Sequence, residues 1–66
     1  MPTIRVEMLT GRSAEQKKAM ADGLTQVMVQ QGGAAPASVH VVFTEIEAAD
    51  WFVAGASLSE RVKLKN

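Results

Sequence analysis

Four residues of this 66-residue chain carry groups suited to chemistry beside a carbonyl: Pro2, Arg12, His40 and Trp51. Pro2 follows Met1, so removal of that methionine would expose a secondary amine. An α-amino group has a reference pKa of about 7.7–8.0, and nearby cations or an apolar pocket push it toward neutrality. A base titrating near the working pH is what proton abstraction next to a carbonyl needs. Arg12 offers a planar guanidinium that grips a carboxylate through two parallel hydrogen bonds. His40 can donate to an enol or keto oxygen, or add positive charge. Trp51, the only tryptophan, can wall an apolar pocket or anchor an interface. The plainer readings are a strand-opening proline, an exposed loop arginine and a histidine satisfied at an interface.

The elements that must position these residues follow from periodicity. Residues 3 to 9 alternate, with Ile4, Val6 and Met8 on one face and Thr3, Arg5 and Glu7 on the other. That pattern predicts a strand, broken by Thr10-Gly11-Arg12. Ser13 followed by Gln16 is a capping-box pattern opening a helix predicted near 14 to 31. Met20, Leu24, Val27 and Met28 recur at helical spacing, Gly23 predicts close packing, and Gly32-Gly33 stops the helix before Pro36. Residues 38 to 45 alternate again, with Val39, Val41 and Phe43 opposite His40, Val42 and Thr44. Strand, helix and strand make a βαβ unit of the α/β (α+β) class, with parallel strands, a right-handed crossover and the helix over one sheet face. The other face, Val42 among Thr3, Arg5, His40 and Thr44, has nothing in the chain to cover it and is a predicted interface. Arg5 and Glu7 are expected to pair across it, while Lys17, Lys18, Lys63 and Lys65 are expected at the solvated surface. Beyond Glu45 come an Ala-rich turn from Glu47 to Asp50, the apolar Trp51-Phe52-Val53 and a turn at Ala54-Gly55-Ala56. Leu58 to Leu64 reads as a terminal strand or a short helix.

This arrangement sets a geometric condition. At about 3.3 Å per residue, Pro2 and Arg12 lie up to roughly 30 Å apart at opposite ends of one strand. They share a pocket only if another subunit supplies one of them. Parallel pairing puts His40 at the Pro2 end.

Composition bounds the remaining possibilities. The length allows one domain, 1–66, and a lone monomer this short is marginal. Cysteine is absent and there is one histidine, so disulfides and a structural zinc site are unavailable as staples. Association is the remaining support, and 47% hydrophobic residues are ample for a small core plus an interface. A formal net charge of zero argues against a nucleic-acid partner. No apolar run reaches the roughly 20 residues of a membrane span, and no secretory signal is visible, so a cytoplasmic protein is expected. No Gly-rich phosphate loop, nucleophile elbow or metal-ligand spacing is present, and no cofactor or metal is expected.

The order of these features resembles the 4-oxalocrotonate tautomerase family, small-subunit branch. The resemblance rests on Pro2 opening a strand, Leu9-Thr10-Gly11-Arg12-Ser13, the helix start Glu15-Gln16-Lys17, Ser38-Val39-His40-Val41-Val42, Thr44-Glu45, Trp51 and Gly55. It runs almost gaplessly from Pro2 to about Gly55. It implies a βαβ unit with a C-terminal hairpin, assembled as dimers into a homohexamer. It implies an enol–keto tautomerase or isomerase, with Pro2 as general acid/base, acting on a small 2-hydroxy- or 2-oxo-carboxylic acid like 2-hydroxymuconate or an arylenolpyruvate. Arg12 would bind the substrate carboxylate. His40 stands where well-known members carry a second arginine, and Trp51 where they carry a pocket-lining phenylalanine. Hydration or dehalogenation of unsaturated acids, for which Glu7 and Glu45 are carboxylates by type, and a catalytically silent oligomer subunit are the alternatives.

Overall fold

The computed structural model describes residues 2–60. β1 spans Thr3–Leu9, α1 Ala14–Gln30 and β2 His40–Ile46, followed by a short hairpin of β3 (Phe52–Val53) and β4 (Ala56–Ser57). β1 and β2 pair in parallel from Thr3 opposite His40 to Leu9 opposite Ile46. β3 and β4 are antiparallel, with Phe52 opposite Ser57 and Val53 opposite Ala56. The expected βαβ unit with a C-terminal hairpin is therefore the fold.

Local chemistry explains the boundaries. Ser13 Oγ accepts from the Gln16 N–H at 3.1 Å while Gln16 Oε1 accepts from the Ser13 N–H at 2.8 Å, so both halves of the capping box form. The helix ends where the Gly32 N–H donates to the Met28 carbonyl and Gly33 turns to φ +68°, a conformation glycine adopts without steric cost. The second strand starts two residues later than its alternation predicts. Pro36–Ser38 forms a 3-10 turn instead, because Ser38 turns both its N–H and its hydroxyl back onto the Ala35 carbonyl. Residues 58–60 are helical, which resolves that part of the open reading; the rest of 58–64 lies outside the described residues. Ser57 starts this helix, its buried hydroxyl accepting from the Glu60 N–H at 3.3 Å.

The sheet has two unlike faces. Ile4, Val6, Val41 and Phe43 are half-buried and Met8 buried, whereas Thr3, Arg5, Glu7, His40, Val42 and Thr44 are exposed. α1 lies on the first face and is tied there by Lys17, whose Nζ stands 2.9 Å from Glu45 Oε1. Lys17 is thus half-buried and paired, not a solvated surface lysine, because β2 brings Glu45 to the helix-facing side opposite Met8. The uncovered face is the one expected from the sequence. Gly23 does not meet the close packing predicted for it: a Cβ there would touch nothing within 4 Å. It lines instead an open apolar groove with Val6, Met20, Leu24 and Val27.

The interior is correspondingly thin. Met8, 8% exposed, is the only buried hydrophobic among the described residues, and Val27, Val42, Phe52 and Val53 stand in solvent. Apolar burial is the main force that offsets chain entropy, so folding of this chain is expected to be linked to association. The thermal midpoint should then rise with protein concentration. A midpoint constant over a roughly 100-fold dilution series, read by circular dichroism, would show that the chain folds alone.

The hairpin carries one strained residue. Ala54 has φ 53° and Gly55 φ 83°, the pair of positive values that a two-residue turn matching strand twist requires. An L-residue other than Gly or Asn in that region costs about 1–2 kcal/mol. Ala54→Asn should accordingly raise stability by about 1 kcal/mol, read as a higher denaturation midpoint. A lower midpoint would mean the turn is not held this way.

Candidate active site

The strand pairing fixes where the chemistry-bearing residues lie. Pro2 immediately precedes β1 and is half-buried. Its carbonyl accepts a hydrogen bond from the His40 N–H at 2.9 Å, which starts the β1–β2 ladder. His40 is the first residue of β2, opposite Thr3, with its side chain exposed on the uncovered face. Pro2 and His40 are therefore brought together by the backbone itself.

Arg12 sits at the other end. It follows β1 in an exposed loop, with Nη1 3.5 Å from the Leu9 carbonyl, a contact too long to hold the guanidinium in place. The seven residues of β1 separate it from Pro2 by about 23 Å at the usual rise per residue. Trp51 belongs to the same end as Arg12, because β2 runs parallel to β1 and the chain leaves β2 at Ile46. A 3-10 turn, Ala48–Asp50, then leads directly into Trp51. The indole is half-buried, and the Trp51 carbonyl accepts from the Leu58 N–H at 2.9 Å, tying the residue to the end of the hairpin.

Within one chain, Pro2 and His40 thus lie at one end of the sheet and Arg12 and Trp51 at the other. They do not meet within the chain. The condition drawn from the sequence for Arg12 extends to Trp51, whose place at that end the alternation pattern does not reveal.

Residues that frame the Arg12 end were not identified from the sequence. The Thr10 hydroxyl reaches Glu47 Oε2 at 3.5 Å, and the Thr10 N–H donates to the Ile46 carbonyl at 3.1 Å, joining the loops after β1 and β2. Lys17 and Glu45 brace the start of α1 against the end of β2. These partners lie far apart in sequence, and periodicity carries no signal for them. The same pairing bears on the carboxylates considered for water activation. Glu45 is engaged by Lys17 at the Arg12 end, remote from Pro2 of its own chain. Glu7 is on the uncovered face opposite Thr44.

Among the described residues, no cluster of three or more His, Asp or Glu side chains could hold a metal ion, and no helix is long and apolar enough to cross a membrane.

Residues 2–61 match the family model described as tautomerase enzyme. A 2-hydroxymuconate tautomerase of Comamonas testosteroni is 40% identical over 60 residues, covering 91% of this chain and 95% of the relative. Among solved structures, TomN, a 4-oxalocrotonate tautomerase homologue of the tomaymycin biosynthetic pathway, superposes with a TM-score of 0.93 at 34% identity, covering 98% of this chain and 100% of TomN. A heterohexamer 4-oxalocrotonate tautomerase from Chloroflexus aurantiacus J-10-fl gives 0.84 at 33% identity, covering 91% of this chain and 97% of that one.

Proposed function

The chain belongs to the tautomerase family of enzymes, and from that premise we propose that it interconverts the enol and keto forms of a small 2-hydroxy- or 2-oxo-carboxylic acid with Pro2 as general acid/base. The observation that carries this reading is the division of Pro2 and His40 from Arg12 and Trp51 at opposite ends of the sheet. Each half is chemically incomplete. An amine without an anchored carboxylate has no oriented substrate, and a guanidinium without a base has no proton acceptor. Apposition of the two ends of neighbouring subunits supplies both.

In the assembled site, Arg12 of one subunit holds the substrate carboxylate through two parallel hydrogen bonds. That grip places the adjacent 2-hydroxyl at Pro2 of another. The free amine, which exists once Met1 has been removed, takes the hydroxyl proton as the carbon–oxygen bond becomes a carbonyl. The ammonium so formed returns a proton to the carbon end of the enol or dienol. Atoms and electrons balance without a co-reactant. His40 donates to the developing carbonyl oxygen, favouring charge on it as the proton moves. Trp51 covers the unsaturated part of the substrate and excludes water, which strengthens both interactions.

We propose a homohexamer, a trimer of dimers, as the assembly. The thin interior and the uncovered sheet face support association, and the heterohexamer Chloroflexus homologue supports six chains as its number. The test is ketonisation of an enol in ultraviolet absorbance, with intact mass confirming loss of Met1. Processed protein is expected to accelerate decay of 2-hydroxymuconate, phenylenolpyruvate or both. Rates equal to buffer for every such enol would remove the reading.

A further inference from the structure

Resting on that reading, we infer that the site accepts a substrate with one carboxylate and an apolar tail, and that His40 sets this limit. Among the described residues the guanidiniums are those of Arg5 and Arg12; Arg12 lies at the end of β1 remote from Pro2, so in an assembly of identical chains each Pro2 is matched by a single Arg12. One fork serves one carboxylate.

Among the described residues, those left to hold a second carboxylate are at the Pro2 end. The strand register presents Thr3 and His40 there as the first cross-strand pair, and Arg5 with Val42 as the pair that follows on the same face. Thr3 has a neutral hydroxyl. His40 has an imidazole on a short stem, which offers single-point hydrogen bonds and not a parallel pair. Arg5 has Glu7 as its next neighbour along that face, a fixed negative charge that opposes entry of another anion. An imidazole is well suited to an enol or keto oxygen, which needs one donor. It is poorly suited to a desolvated carboxylate, whose lone pairs it leaves largely unsatisfied.

The opposite end offers apolar surface where a second charge would otherwise be bound. Trp51 is half-buried and continues into Phe52, 61% exposed, and Val53, 42% exposed. A flat aromatic or alkenyl tail gains burial against such residues, whereas a carboxylate there would lose its hydration. An arylenolpyruvate-type monoacid has this composition; 2-hydroxymuconate, with a carboxylate at each end, does not.

The experiment compares kcat/KM for phenylenolpyruvate and 2-hydroxymuconate in processed wild-type protein and in His40→Arg, His40→Gln and Arg5→Gln. Wild type is expected to favour the monoacid by about tenfold or more. His40→Arg, which adds a second fork, is expected to shrink that ratio at least about tenfold, chiefly through a lower KM for the diacid. His40→Gln, a neutral single-point donor, should keep the preference, and this variant still tests the role if His40→Arg fails to assemble. A wild-type preference for the diacid overturns the inference and leaves the tautomerase reading standing. Movement of the ratio in Arg5→Gln, with none in His40→Arg, overturns the role of His40. Absence of turnover on both enols overturns the tautomerase reading itself.

Discussion

Replacing Pro2 by alanine in the processed chain should lower kcat by about 10²–10⁴-fold, the contribution expected of a positioned acid/base group. Alanine retains an α-amine, but a primary one with different basicity and no ring to fix its direction. The structural cost of the change is small. β1 begins one residue later, and the Pro2 carbonyl, the group His40 uses to start the ladder, is present in alanine as well. Size-exclusion elution should therefore be unchanged. Retention of Met1 is the sharper control. It converts the Pro2 nitrogen into a tertiary amide with no basic lone pair, so a preparation carrying Met1 should be inactive and regain activity when an aminopeptidase removes it. Full activity in Pro2→Ala, or in protein whose mass includes Met1, would take the proton-transfer role away from Pro2.

Much of this arrangement is legible in the sequence because it rests on local patterns. The alternation of Ile4, Val6 and Met8 with Thr3, Arg5 and Glu7 gave the first strand, and Ser13 with Gln16 gave the helix start. The separation of Pro2 from Arg12 required only the rise of a strand. Three kinds of feature were not legible. Ser38 lies in an alternating run that reads as strand, yet its side chain satisfies the Ala35 carbonyl and holds a turn; that competition is between two local hydrogen-bonding schemes. The Lys17–Glu45 bridge depends on how α1 crosses β2, a tertiary relation absent from any window of sequence. Gly23 illustrates a third case. Its place in the helix pattern implies a close neighbour, but a single chain supplies none, and the groove it shares with Val6, Leu24 and Val27 is open.

Mixing two inactive variants should restore activity, and by an amount that counts the subunits contributing to each site. In the proposed site, Arg12→Ala would remove two charge-assisted hydrogen bonds to the substrate carboxylate, each worth about 1.5–3 kcal/mol, and should cost about 10²–10⁴-fold in kcat/KM. Arg12 is exposed and its one backbone contact is 3.5 Å long, so the fold should tolerate the change. Pro2→Ala disables the other half. If a site takes Pro2 from one chain and Arg12 from another, denaturing and refolding the variants together gives sites that combine an intact Pro2 with an intact Arg12. In random equimolar mixing about one site in four has both, giving about a quarter of wild-type activity. The recovery should follow the product of the two mole fractions and peak at equal amounts. A site built within one chain predicts no recovery at any ratio, since every chain in the mixture lacks one of the two residues. The β1 geometry keeps Pro2 and Arg12 of one chain about 23 Å apart, so if both serve one site the first result is expected.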